Sequence, residues 1–416
     1  MDKSPEQLYK ERIKRVEDAT QLKVPDRVPI MATPHFFPTN IAGVTCEDAM
    51  YDYDKLETAW EKYLLDFQPD TYPNPYHRIA LGPLMESLDS RQFRWPGHGV
   101  SPDHTYQFVE EEHLKANDYD AFLFDPSDYI LRTYLPRICG ALEPLRMLPH
   151  YGEFGYSRVI TGASAFGIPE VAQAIEILIK TGSEAQNMLS RARSFASEMT
   201  TLGFPTDFSM TCNAPFDYIG NCFRGTRGIM LDMYRYPDKL LDTIDKVLPM
   251  IANSSIYAAK KSGNPRIFIP LHKGADSFMS LEQFKNFYWP SLKKLVMSFI
   301  NEGLTPCLFF EGQCISRLEI IGDIPAGKAI YWFEHTDLFT VKKALGSRVC
   351  IKGNVPASML CTGSPLEVKD YCKKLIDVVG KGGGFILDGA NGIPDEARVE
   401  NVKAMIDFTK EYGVYR

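Results

Sequence analysis

From residue 205 onward the apolar positions of the chain fall into a rhythm. Short, nearly continuous apolar runs alternate with longer amphipathic stretches: "DFSMTCNAPFD", "PRIFIPLHKGA", "TPCLFFEGQ", "KAIYWFEHTD", "RVCIKGNVP" and "GGFILDGANGIP". Segments with helical spacing, such as "SLEQFKNFYWPSLKKLVMSFINEG" and "PLEVKDYCKKLIDVVG", separate most of them. A strand apolar on both faces belongs in a parallel sheet covered by helices on each side. Before residue 205 the pattern is less regular. A charged amphipathic helix is predicted over 5–22, a short strand over Val28–Ala32 and a second helix over 47–66. Residues 70–130 are dense in Pro and Gly and predict loops with short strands. Residues 132–204 turn helical, with "IPEVAQAIEILIKTGSEAQNMLSRARSFASEM" expected to form a hairpin that breaks near Thr181–Gly182.

With the early strand segments included, about eight strand–helix units emerge, the repeat of a (β/α)8 TIM barrel in the α/β class. The expected layout is a single domain over 1–416, with an N-terminal helix in 1–25 and a mainly helical insertion at 132–204. An open doubly wound sheet is the alternative. However, no G-x-G-x-x-G sits at a strand-to-helix turn, and "GKGGGF" precedes a strand, where a tight turn explains its glycines.

Composition narrows the function classes. Net charge is −7 and no run of five basic residues occurs, so a nucleic-acid groove is not expected. The nine cysteines are scattered without a CxxC, which is no disulfide framework and suggests a reducing, cytoplasmic setting. The opening "MDKSPEQLYKERIKRVEDA" lacks an apolar signal core, and no run of about 18 apolar residues suggests a membrane span.

In such a barrel the chemistry sits at the carboxyl ends of the strands. The residues that follow the apolar runs are His35, Asn213, His272 with Lys273, Glu311, Glu334 with His335, Asn354 and Asp388. Each has an ordinary structural explanation: a hydrogen-bonded histidine, a solvated lysine, an aspartate closing a turn. The argument rests on the ring, because several strands repeat the feature. Phe36, Phe310 and Trp332 stand beside these polar tips and suggest an apolar pocket for a flat organic ligand.

Four stretches carry a family resemblance: "APFDYIGNCFRGTRGIMLDMYRYPDKLLDTIDKV", "HKGADSFMSLEQFKNFYWP", "IKGNVPASMLCTGSPLEVKDYCKKLI" and "GGFILDGANGIPDEARVENVKAMID". They resemble the uroporphyrinogen decarboxylase superfamily over most of 207–408. The decarboxylase itself carries an early Arg-Gln-Ala-Gly-Arg segment, whereas the corresponding place here reads "IMATPHFFPTNIAG", without arginine. The chain looks instead like the branch of methyltransferases that serve corrinoid proteins.

That resemblance implies a site. Coenzyme M methyltransferases of the branch hold zinc through His-x-Cys and a distant Cys. Here His272 matches the histidine, but Gly274 stands where one thiol is expected, and Ala390 or a neighbour in "DGANG" where the other is. A zinc ion is therefore expected to draw on His272, Glu311, Cys314, His335 and Asp388. Glu311, His272 and Lys273 are the expected catalytic groups, and His35, Phe36, Asn213, Phe310, Trp332 and Asn354 the expected substrate contacts. The implied reaction is demethylation of a methoxylated aromatic compound, with the methyl group passed to Co(I) of a separate corrinoid protein, because no D-x-H-x-x-G corrinoid signature is present. Transfer from methylcorrinoid to tetrahydrofolate or a thiol, and a non-enzymatic corrinoid-binding scaffold, remain open alternatives. The resemblance also suggests a homodimer.

Overall fold

The structure is a computed structural model that describes residues 3–153 and 155–416. Six parallel strands form one sheet in chain order: β1 (Met210–Thr211), β2 (Arg266–Leu271), β3 (Thr305–Phe310), β4 (Ile330–Phe333), β5 (Cys350–Lys352) and β6 (Phe385–Ile386). β2 and β3 pair in unbroken register from Arg266↔Thr305 to Leu271↔Phe310.

Two extended segments close this sheet into a ring. Residues 28–32 bond to the end of β6, with Leu387 N donating to Pro29 O (2.8 Å) and Met31 N to Leu387 O (3.1 Å). Asp70 N donates to Ile30 O, and Tyr72 and Asp207 link residues 70–72 to 205–207. Ser209 N then donates to Arg266 O, which completes an eight-membered closed barrel.

Alternation along the strands divides the core. Phe268, Cys307, Phe309, Ile330, Trp332, Cys350 and Ile386 pack inside the barrel, joined by Met31. Their neighbours Ile267, Ile269, Leu308, Phe310, Tyr331, Phe333 and Ile351 face the surrounding helices. The N-terminal helix α1 (Pro5–Thr20) is capped by Ser4 and lays Val16 and Ala19 against the inner residues at the start of the strands, plugging that end.

Two expectations are corrected. The helix predicted over 47–66 is two, Cys46–Tyr51 and Tyr53–Phe67, because the Asp52 side chain accepts from the amides of Asp54 and Lys55 and starts a second helix. The hairpin expected near Thr181–Gly182 is one continuous helix, α2 (Pro169–Thr201). A single glycine costs a helix only about 1 kcal/mol, and tertiary packing outweighs it. Residues 70–130 do contain short strands, in a separate three-stranded sheet of Phe93–Pro96, Gly99–Val100 and Gln107–Phe108. The "GKGGGF" stretch is a turn, with Gly382, Gly383 and Gly384 all at positive φ.

Among the described residues no single helix is long and apolar enough to cross a membrane. Ser157–Gly167 and Pro169–Thr201 meet such criteria only as a pair bent by 84°.

Candidate active site

A cavity of about 520 Å3 opens at the carboxyl ends of the strands. The inward positions of β2 and its extension build one wall: Phe268, Pro270 and His272 succeed one another at the two-residue period of a strand. Phe309 and Glu311 do the same after β3, and Trp332 adds a third aromatic surface from β4. Phe309 and Trp332 lie 4.4 Å apart, centroid to centroid.

His272 and Glu311 form the polar edge of this wall. Nε2 of His272 is 3.2 Å from Oε1 of Glu311, and both side chains are about one-third exposed. On the other side of the ring, Nδ1 is 2.6 Å from Nδ2 of Asn221. The Asn221 amide is oriented in turn by Lys273, whose Nζ donates to its Oδ1 at 2.5 Å. An ammonium against Oδ1 leaves the amide NH2 to face His272, so Nδ1 is an acceptor and the neutral ring carries its proton on Nε2, toward Glu311. Asp217, fully buried, accepts from the backbone amides of His272 and Lys273 (3.0 Å each) and from the Tyr288 hydroxyl (2.6 Å), which fixes the turn at the end of β2. Burial opposes charge on His272, but the Glu311 hydrogen bond and the carboxylates of Glu311 and Asp217 outweigh it and raise its pKa above the usual 6.5.

Across the cavity, His35 stands edge-on to Phe36 and Tyr106, with the Tyr106 hydroxyl 3.4 Å from its Nε2. Burial and the nearby Arg78 charge lower its pKa to about 4, so His35 is neutral at pH 7. Burial pushes the Asp395 carboxyl up to about 6, against the amide of Phe36 that it accepts at 2.7 Å.

The structure brings together His35, His272, Glu311 and Trp332 from the residues expected at the site. The others lie elsewhere. Lys273 faces away from the cavity, buried behind His272, because successive residues of a strand point to opposite sides. The same alternation places Phe310 outside the barrel, stacked on Phe333 at 5.0 Å, and gives its expected place to Phe309. Phe36 is fully buried in the outer core. Asn213 lines a separate pocket beside Met250 and Tyr218. Asn354 donates to the carbonyls of Glu334 and Thr336 and accepts from Tyr371.

The expected zinc ligands are likewise dispersed. His335 is 64% exposed and 3.5 Å from Glu334. Cys314 is buried in the outer core, where burial pushes its thiol up to about 12. Asp388 is fully buried and engaged by Lys352 Nζ at 3.0 Å, by Thr33 Oγ1 at 2.7 Å and by two backbone amides. Among the described residues no group of three or more His, Cys, Asp or Glu side chains is placed to share a metal ion. The side chains present do not fit the expected zinc site, and zinc takes no part in the chemistry proposed for the cavity.

The profile of the uroporphyrinogen decarboxylase family matches residues 192–412, more than half of the sequence. The chain belongs to that family. Uroporphyrinogen decarboxylase of Chlorobium phaeobacteroides is 24% identical over 187 residues, which cover 44% of this chain and 52% of that protein. The enzyme of the same name from Coxiella burnetii is 20% identical over 299 residues, covering 66% and 80%. The chain thus spans about half the length of the Chlorobium relative. In three dimensions it resembles a methyltransferase from Methanosarcina mazei with a TM-score of 0.62 over 96% of this chain and 98% of that one. At 15% identity this is a likeness of fold.

Within this family frame, three site residues went unread in the sequence. Asp217 and Asn221 lie in "APFDYIGNCFRG", a stretch that carried the resemblance without being assigned a role. Arg78, in the loop-rich "TYPNPYHRIALG", lines the cavity above Phe268, its guanidinium carbon 5.0 Å from the ring centroid.

Proposed function

We propose that the protein is a methyltransferase that demethylates a methoxylated aromatic compound and passes the methyl group to a corrinoid carried by a separate protein. The observation that carries this reading is the His272–Glu311 pair at the edge of a cavity walled by Phe268, Phe309 and Trp332. A flat aromatic ring fits against those faces, and the pair offers an acid where an ether oxygen needs one. The whole-length fold likeness to a methyltransferase points the same way.

In the reaction the bond between methyl carbon and ether oxygen breaks, and the bonding electrons stay on oxygen. A corrinoid held by the partner would supply the nucleophile, a Co(I) centre able to take up the methyl group and give two electrons to the new bond. A phenolate is a modest leaving group, because its conjugate acid has a pKa near ~10. As the imidazolium, favoured by its raised pKa, His272 delivers its Nε2 proton to the departing oxygen and is left neutral with its proton on Nδ1, for which the Asn221 amide turns its oxygen to accept. Glu311 holds that proton in place and stabilises the imidazolium beforehand. The aromatic wall orients the ring and keeps water from the ether.

The test is methyl transfer from methoxylated benzenes to free cob(I)alamin or a corrinoid protein, followed by the loss of the Co(I) spectrum. Wild-type protein should demethylate, and His272→Gln and Glu311→Gln should each slow the reaction by roughly 10²–10⁴-fold. Unchanged rates in both variants, or no Co(I)-dependent demethylation of any methoxylated aromatic compound, would overturn the proposal. Running the assay from methylcobalamin toward tetrahydrofolate tests the reverse direction in the same cuvette.

A further inference from the structure

Of the described residues lining the cavity, Arg78 is the one arginine or lysine. No carboxylate of a described residue lies within 4.0 Å of it, although the other partly buried arginines of the described residues are ion-paired: Arg27 with Asp70, Arg132 with Asp128, Arg137 with Asp118 and Arg191 with Glu57. Its guanidinium lies over the face of Phe268, at 5.0 Å. A guanidinium presents a planar fork of donors that matches a carboxylate in two parallel hydrogen bonds. The Arg78 charge reaches the buried Asp207 carboxyl at the back of the cavity, but no side chain of a described residue accepts a hydrogen bond from the fork, which fits a group completed by its ligand. The two carboxylates that line the cavity are otherwise occupied, Glu311 by His272 and Asp395 by the Phe36 amide.

Resting on the function proposed above, we infer that Arg78 receives the carboxylate of the substrate, so that the methyl ether is an aromatic acid of the methoxybenzoate class. Phe268 and His272 are four residues apart on one strand, about 13 Å along the wall at the rise of a β-strand. Arg78 reaches in over Phe268 and the acid pair stands at His272. A ring lying along the wall therefore places its carboxylate and its ether oxygen at opposite ends. The arrangement also separates the substrate's charge from Glu311, where two carboxylates would repel. One guanidinium suits one carboxylate, and among the described residues lining the cavity no second arginine or lysine is present to meet another.

The test is equilibrium binding, independent of turnover, by calorimetric titration of the intact protein with 4-methoxybenzoate, its methyl ester and anisole. Wild-type protein should prefer the acid over both neutral analogues by about ten- to a hundredfold, the range of a charge-assisted bidentate contact. Arg78→Gln should abolish that preference, and Arg78→Lys should keep part of it. Thermal unfolding confirms that each variant is folded, and the acid-versus-ester comparison on wild type needs no variant at all. Equal affinity for acid and ester in wild type, or an undiminished preference for the acid in Arg78→Gln, overturns the assignment. If neutral ethers are demethylated as well as acids, Arg78 has no such role while the methyltransferase reading stands. If the acid binds through Arg78 but no methoxylated compound is ever demethylated, the anion site stands and the reaction proposed for it falls.

Discussion

The two ends of the barrel treat charge in opposite ways. At the closed end, the Asp70 charge is internally settled. Asp70, fully buried, takes Arg15 at 2.6 Å, Arg27 at 2.8 Å and the Ile30 amide at 2.8 Å, tying helix α1 to the barrel. Inside the barrel Lys352 and Asp388 are both fully buried and 3.0 Å apart, and the Lys352 ammonium also lies 3.6 Å from the centre of the Trp332 ring. At the open end the polar groups are partly exposed and incompletely matched: Arg78 has no carboxylate of a described residue within 4.0 Å, and His272 and Glu311 share one contact at the edge of a cavity. The inner end is built for stability and the outer one for a visitor. A buried ion whose partner is already present leaves nothing for a ligand to add, whereas an unmatched ion at a rim does.

The contrast breaks most visibly at Lys352. Lys352→Met leaves Asp388 as an uncompensated buried carboxylate and should destabilise the fold by about 3–5 kcal/mol in urea unfolding. The double variant Lys352→Met/Asp388→Leu should recover much of that loss, because the desolvation of both ions goes with the pair. If Lys352→Met unfolds at the wild-type urea concentration, the inner pair is not holding the barrel together. A matching change at the open end, Arg78→Gln, should leave the unfolding midpoint within about 0.5 kcal/mol of wild type, as expected where no paired partner is orphaned.

How far the sequence revealed this follows from what each signal can carry. The barrel was legible because strands such as "RIFIPL" and "CLFF" are apolar throughout, and only a sheet covered on both faces accommodates them. The rule of reading the residue after each strand found His272 and Glu311, which continue the inward-facing series 268–270–272 and 309–311. It failed wherever side-chain parity mattered more than position. Lys273 and Phe310 sit one residue out of phase, and a continuous apolar run does not show which of its residues point in. Asp388 does point in but at a level where Lys352 and Thr33 consume it, and depth along the strand is not written in the pattern. Arg78 escaped because arginine was sought in the segment where the decarboxylase carries it, while a Pro-rich loop far along the chain delivers one to the cavity instead.

The phase argument sharpens into a second experiment. Phe309→Leu and Phe310→Leu remove the same atoms one residue apart, and each should cost about 1–2 kcal/mol of stability from lost packing. Only Phe309 touches the cavity, so only Phe309→Leu should weaken binding of an aromatic ligand, by roughly three- to tenfold for one lost ring contact. Equal effects of the two changes on binding would mean that the inner and outer faces of β3 are not separated as described.

The subtlest contrast lies within one dipeptide, where His272 faces the cavity and Lys273 backs it. Lys273 acts on the site through the Asn221 amide, and its positive charge also lowers the His272 pKa, against the larger upward pull of Glu311. Lys273→Met removes both influences. The amide becomes free to turn its oxygen toward Nδ1, where it can accept from the protonated ring, so the imidazolium gains a hydrogen bond as well as losing a repulsive neighbour. The His272 pKa should therefore move further up, readable from the imidazole resonances by NMR titration. Because the folded pKa already lies above 6.5, the stability that protonated His272 contributes is complete below that pH and fades as pH rises through the folded value. In Lys273→Met that fade, and with it the alkaline limb of methyl transfer, should shift to higher pH. Asn221→Ala leaves Nδ1 without its partner and should slow transfer by about tenfold, the value of one lost hydrogen bond, without reproducing the full shift because Lys273 remains charged. A Lys273→Met protein whose histidine titrates at or below the wild-type pH would show that the amide and the ammonium do not govern the ring.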